Sequence, residues 1–459
     1  MAAPYNDRVI TAARGCTLLD ADGNEYLDMT SGQICAIVGH GHPRLLAQVQ
    51  QQIARVAHTG TSFLSPVVFE ASERLARIAP GNLTRSILLS TGAEANEFAI
   101  RLARAHTGKT GVLALTKGYA GLTLQTSSLT NYGKGAQPLV PDTGYLLVPD
   151  PTACPAGRDL LDWSRELTEH SLELNRGLLG NVAAIIVEPI LSAGGLIVLP
   201  DGYLRDLRTL ADRLGALLIA DEAQTGMGRT GRWFGVQHDD VVPDILVASK
   251  GAGGGYPSSA VITTDDIAAS VLARVNQFSS HQSDPLGAAA TVAVIDIVTD
   301  EQLVERADRM GRYLRDQLNG VAKQHPQLAN VRGRGLMNGF DVFRDPERPV
   351  AEAEVGRGVE DFCRARGVHI EVIQRNRFRV LPPLTVEEAH VDRFVATVAD
   401  AMAALASGAT LLDPPRNPHT AAYVGQSARY RGVKGAARWA WSHSPQAWVA
   451  RLRGGSTGR

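Results

Sequence analysis

Cysteine is scarce in this chain: four residues in 459, Cys16, Cys35, Cys154 and Cys363, far apart and never in a C-x-x-C pair. That excludes a disulfide-stapled scaffold and argues against a zinc–thiolate centre. It suits a reducing cytoplasm, the expected home. Long apolar runs are also missing. No stretch approaches 18 uninterrupted apolar residues, and MAAPYNDRVI lacks the apolar centre of a secretory leader. No membrane partner is expected. Charge of one sign is lacking too: the formal net charge is −1, which leaves no whole-molecule field to draw in nucleic acid or anionic lipid. GxSxG, HExxH, HRD and GxxxxGK[ST] do not occur. His40-x-His42 resembles a metal pair, but no third ligand stands at a recognisable spacing, so packed turn histidines are expected.

What is present is ordinary globular material, 44% hydrophobic and 20% charged, long enough for two or three structural units. Residues 1–45 carry a hairpin pattern, TLLDADGNEYLDM, with Asp22-Gly23 as the turn signal. From 46 to 290, short apolar runs alternate with helical periodicity: SILLS, GVLAL, NVAAIIVEP, ALLIADE and ILVAS, separated by stretches such as EANEFAIRLARAH and DGYLRDLRTLADRLG. Buried strands alternating with amphipathic helices predict an α/β unit with a mostly parallel sheet covered on both faces. From 291 to 408 the pattern becomes a smaller α+β region, with VRGRGLMNGFDV and RFRVLPPLTV as its strands. Residues 409–459 read as a basic extension. After Asp413 it holds no acid, eight Arg or Lys, and three of the five tryptophans, Trp439, Trp441 and Trp448. It is expected to pack those rings on the main body; a partner-binding tail is the alternative.

Two segments place a reactive group where a strand should end. Asp221 closes ALLIAD and Lys250 follows ILVAS. Open α/β sheets bind ligands at the carboxyl ends of their strands. Pyridoxal phosphate (PLP) needs a lysine for a Schiff base and an acid to keep its pyridine nitrogen protonated. Either residue alone reads equally as a turn cap or a surface lysine; the pair points to the cofactor. Ser90-Thr91-Gly92-Ala93 follows a strand and opens a helix, which suits a phosphate or an ordinary N-cap.

STGAEANE, IIVEPI, IADEAQTGMGRTG and the lysine of ILVASKG resemble the signature of the class III, fold type I aminotransferases, over residues 15 to 405. LDMTSGQICAIVGHGHP, EPILSAGGLIVLPDGY and SSHQSDPL are similar, within that class, to the 2,2-dialkylglycine decarboxylases. The resemblance implies an α/β, fold type I PLP-dependent transferase: a large domain with a mostly parallel, seven-stranded sheet plus a smaller α+β domain. Residues 1–45 would join residues 291–408 in the latter. It implies Lys250 as Schiff-base lysine and proton shuttle, Asp221 on the pyridinium and Gln224 on the phenolic oxygen. Thr91, Gly92 and Ala93 would hold the phosphate, and Tyr119 and Glu188 would line the cofactor. Ser280 would reach the phosphate from a neighbouring subunit, in a homodimer or dimer of dimers with shared sites. Arg379 would grip the substrate carboxylate through its planar fork.

Gln33, in SGQ, matches the glutamine that holds a carboxylate perpendicular to the cofactor ring, the orientation that favours loss of CO2. The expected reaction is therefore decarboxylation-dependent transamination of an α,α-disubstituted amino acid, giving CO2 and a ketone, with a 2-oxo acid such as pyruvate as amino acceptor. Transamination without decarboxylation, or epimerisation on the same fold, is the alternative. An alkali ion, potassium or sodium, is implied on Thr59, Thr61, Ser280, Gln282 and Asp284. Leu122 and Ala193 stand where more polar or flexible residues are expected, which predicts a roomier, more apolar substrate pocket.

Overall fold

The computed structural model describes residues 8–131, 140–271, 274–275, 278–409 and 411. Apart from Ala409 and Leu411, the basic extension and its tryptophans lie outside the described residues. Near the N-terminus β1 (Ile10–Arg14), β2 (Thr17–Asp20) and β3 (Glu25–Asp28) form an antiparallel meander. The Asp22-Gly23 signal sits in the turn between β2 and β3, with Gly23 at φ +83°, a conformation that costs glycine little.

The main sheet is built from β4 (Arg85–Leu89), β5 (Gly111–Leu115), β6 (Thr143–Leu146) and β7 (Val182–Val187). A short ribbon of β8 (Ile190–Leu191) and β9 (Ile197–Val198) follows. Then β10 (Leu217–Asp221), β11 (Ile245–Ala248) and β12 (Ser259–Thr263) complete it. Its seven strands lie in the order β4-β12-β11-β10-β7-β5-β6. Only β12 runs against the rest. Every residue of β5, β7, β10, β11 and β12 is buried, which is why these strands read as unbroken apolar runs rather than alternating ones. Helices cover both faces. In Tyr203–Leu214 the residues Tyr203, Leu204, Leu207, Leu210 and Ala211 are buried, the spacing of one helix face.

Further on lie β13 (Leu328–Arg334), β14 (Met337–Val342), β15 (Val368–His369), β16 (Glu371–Gln374) and β17 (Arg377–Val380). Four of them form a sheet in the order β13-β14-β17-β16, while β15 pairs in parallel with β3. Two expectations need correction here. VRGRGLMNGFDV is not one strand but the turn and arms of the β13–β14 hairpin, because Gly335 takes φ +51° and a Cβ there would lie 2.3 Å from the Thr230 carbonyl carbon. RFRVLPPLTV is strand only as far as Val380; Pro382 and Pro383 bring no N–H to a ladder.

Candidate active site

The strands β4, β5, β7, β10 and β11 run the same way, and each delivers a site residue at its carboxyl end. Thr91 follows β4, Tyr119 follows β5, Glu188 follows β7, Asp221 ends β10 and Lys250 follows β11. Register makes them neighbours: Asp221 pairs with Val247 and Ala220 with Val187. They open onto a cavity of about 370 Å³. Its wall includes Thr91, Gly92, Ala93, Tyr119, Asp221, Gln224 and Lys250. A larger groove, about 520 Å³, is lined by Arg344, Glu354, Arg357 and Asp361 and holds none of the residues selected from sequence.

Asp221 is buried, and its carboxylate accepts from two neutral donors, Asn96 Nδ2 at 2.7 Å and the Ala223 N–H at 3.1 Å. Burial raises its pKa, with the Asn96 bond and the charge of Lys250 opposing. Glu188 is pushed up as well, by burial first and by Asp221 second. Strand alternation decides which acid of the Asp221-Glu222 pair faces the cavity. Glu222 turns the other way and caps the Gly235 and Val236 N–H groups at 2.8 Å. Lys250 takes φ +45°. Desolvation holds its ammonium below the ordinary lysine value, while Asp221 and Glu188 pull it back up.

Glu188 orients its neighbours. It accepts from the Tyr119 N–H at 2.8 Å and from Gln224 Nε2 at 3.3 Å. Thr91 is the N-cap of helix Gly92–Thr107, its hydroxyl accepting from the Glu94 N–H at 3.2 Å. The positive end of that helix opens on the cavity, where an anion is stabilised. A buried carboxylate with only neutral hydrogen-bond donors, a lysine of lowered pKa and a helix N-terminus, all on one cavity, fit a group that carries a protonated ring nitrogen, an aldehyde and a phosphate. PLP is such a group.

Arg379 lies on β17, buried, directly across from Glu371 on β16. Its Nε and Nη2 donate to Glu371 Oε2 at 2.8 and 2.6 Å. Nη2 also donates to Gln33 Oε1 at 2.7 Å, and Gln33 Nε2 donates to Glu371 Oε1 at 3.1 Å. The guanidinium lies near enough to Lys250 to help depress its pKa. Gln33 and Ile34 stand at φ +63° and +75°, costly for residues with a Cβ, and the loop carries Cys35 to the cavity wall.

Other expected residues fall outside this cavity. Leu122 is 68% exposed, and Ala193, though buried, takes its neighbours elsewhere, its carbonyl accepting from Gln374. Neither lines the cavity, so the expected apolar enlargement by these two residues does not appear in this chain's pocket. Ser280 is exposed and also lies off it. Asp284 accepts from His58 and His281, and the Thr59 hydroxyl donates to the Gly60 carbonyl; Thr61 and Gln282 are partly buried in the same two loops. His40 and His42 pair with Asp28 and Glu301 instead of with each other. Sequence reasoning missed Asn96, although it stands inside STGAEANE, and Glu371, which carries no local signal because its role comes from cross-strand register.

Fold and site together define a fold type I, PLP-dependent transaminase. The family model for class III aminotransferases matches residues 1–402, and the chain belongs to that family. It is similar to an uncharacterized aminotransferase of Schizosaccharomyces pombe, 36% identical over 85% of this chain and 89% of that protein. It is also similar to the mitochondrial alanine–glyoxylate aminotransferase 2 of Homo sapiens, 32% identical over 84% of this chain and 80% of the other. Among solved structures it is similar to an (S)-enantioselective ω-transaminase from Thermomicrobium roseum, with TM-score 0.81, 31% identity and coverage of 87% and 93%. None of these is named a decarboxylase. Aminotransferases act on small amino and oxo acids, and among the described residues no helix is long and apolar enough to cross a membrane.

Proposed function

We propose that this enzyme moves an amino group from an α-amino acid to a 2-oxo acid without releasing CO2. The observation that carries this is the state of Gln33. Its carbonyl oxygen accepts from Arg379 and its amide donates to Glu371, so both ends are spent on positioning the arginine. The decarboxylating reading needs that amide for a substrate carboxylate held out of the cofactor plane, and nothing else in the cavity favours it.

Bound PLP supplies the electron-withdrawing ring that makes the Cα proton of an amino acid acidic. In our reading Lys250 removes that proton and returns one on the far side of the transfer, a task suited to an amine whose pKa desolvation has lowered. Asp221 keeps the ring nitrogen protonated, with Asn96 fixing the carboxylate. Gln224, oriented by Glu188, bonds the phenolic oxygen, and Tyr119 covers the ring. Thr91, Gly92 and Ala93 hold the phosphate at the helix N-terminus. Arg379 takes the substrate carboxylate once Glu371 yields its place. Ser280 comes from a second subunit. It is exposed in one chain, and the loops around it carry Phe63, Leu64 and Phe278, which are 72%, 84% and 75% exposed, an apolar face that a homodimer covers.

The test pairs holoenzyme with L-alanine and glyoxylate, and separately with 2-aminoisobutyrate or isovaline and pyruvate, following headspace CO2, ketone and amino-acid products. Transfer from alanine with no CO2 from either quaternary donor is expected. Stoichiometric CO2 and ketone would restore the decarboxylase reading. Loss of optical activity without a 2-oxo acid product would point to an epimerase.

A further inference from the structure

A second set of ligand-bearing side chains lies outside the cofactor cavity. His58, on the loop after helix Pro43–Arg55, meets His281 and Asp284, on the loop that enters helix Pro285–Asp300. The carboxylate of Asp284 is divided between two tasks. Oδ1 faces the N–H of Leu286 and caps the helix. Oδ2 is shared by His281 Nδ1 at 2.7 Å and His58 Nδ1 at 3.2 Å. The two rings lie 4.9 Å apart between centroids, and one ligand atom from each of the three residues falls within 4.8 Å of the others.

We propose that His58, His281 and Asp284 form a binding site for a divalent first-row transition cation, zinc above all. A tetrahedral zinc ion with bonds of about 2.0–2.2 Å spaces its ligand atoms about 3.3–3.5 Å apart. Two edges of this triangle already lie near that spacing, and the exposed imidazoles close the third by side-chain rotation. Two neutral imidazoles and one carboxylate are a borderline donor set that favours zinc, nickel or copper over hard ions. The helix cap holds the carboxylate in place, as an outer-shell bond does in metal sites. One residue beyond His281, Gln282 carries a buried amide oxygen with no hydrogen-bond partner, an unspent oxygen donor in the same loop. This site shares Asp284 with the potassium or sodium site implied from sequence, but its other ligands are nitrogen rather than oxygen and its ion is of another class. It does not depend on which reaction the enzyme catalyses.

The experiment uses untagged, chelator-treated holoenzyme in potassium-containing buffer. It is titrated with zinc(II) by calorimetry and with cobalt(II) by its d–d absorption. One ion per chain is expected, with affinity lowered about tenfold or more by His281→Ala, and again by His58→Gln. Thr61→Ala is expected to leave zinc affinity unchanged, since an oxygen-ligated site would need that hydroxyl and this one does not. His281 is exposed, so its replacement leaves folding intact. No saturable binding, equal affinity in both histidine variants, or displacement of zinc by potassium would overturn the proposal.

Discussion

Asp221 and Lys250 end adjacent parallel strands, and burial makes each more reactive than it would be in water. Asp221 is a buried acid whose hydrogen-bond donors are neutral, so it needs a cationic ring nitrogen to stay ionised. Asp221→Asn is expected to lower kcat about 10²-fold or more while cofactor content per chain stays near that of the parent, because Lys250 and the phosphate cradle remain. A kcat within a few-fold of the parent, with cofactor bound, would remove Asp221 from the mechanism. Glu371 is the second residue to test. It holds two guanidinium nitrogens of Arg379, and an incoming carboxylate must displace it. Glu371→Gln is expected to lower KM several-fold for carboxylate-bearing substrates, since a neutral amide competes less for the guanidinium. If KM rises instead, Glu371 orients Arg379 rather than competing for it.

At the level of elements, the site depends on contacts that bring separate sheets together. Arg229, fully buried and held near pKa 9 by desolvation, donates to the carbonyls of Leu336 and Pro382 and to the Ser31 hydroxyl. It thereby ties the loop after β10 to the β13–β14 turn and to the segment carrying Gln33. That turn also receives helix Leu303–Gln324. A Cβ on Gly311 would lie 1.8 Å from the Gly335 carbonyl oxygen, so the helix can sit there only without a side chain. Gly311→Ala is expected to cost about 2 kcal/mol or more, read as a lower urea midpoint with unchanged slope. An unchanged midpoint would mean that helix and turn separate freely.

Across the whole molecule, Asp150 joins the seven-stranded sheet to the strand that carries Arg379. It accepts from Lys117 Nζ at 2.8 Å and from Arg377 Nη1 at 2.9 Å. Burial works against its ionisation, but the bonds from Lys117 and Thr152 and the charge of Arg377 outweigh it, and its pKa falls well below the ordinary carboxylate range. A depressed carboxylate pKa contributes stability that is complete above the unfolded value of about 3.9 and is lost as pH drops below it. Asp150→Asn is expected to cost about 2 kcal/mol at neutral pH, less than a fully buried pair because Lys117 reaches solvent. The gap between parent and variant, measured by urea unfolding, should narrow below about pH 4. A gap constant with pH would show that the loss is one of packing rather than charge.

The sequence by itself determined what depends on neighbours along the chain. The buried strands of the main sheet announced themselves as apolar runs, the Asp22-Gly23 turn as a local conformational preference, and Asp221, Lys250 and the Thr91-Gly92-Ala93 helix start as chemistry placed at strand ends. What only the tertiary structure decided depends on residues far apart in sequence. The hairpin fold of VRGRGLMNGFDV rests on the close approach of Gly335 to Thr230. The occupation of Gln33 and Arg379 by Glu371 rests on the register of β16 against β17, and the joining of His58 to Asp284 on two loops separated by more than two hundred residues. Periodicity and turn chemistry act over a few residues, and so can be read along a line. Register, close contact and charge sharing are set by packing, which no local pattern encodes.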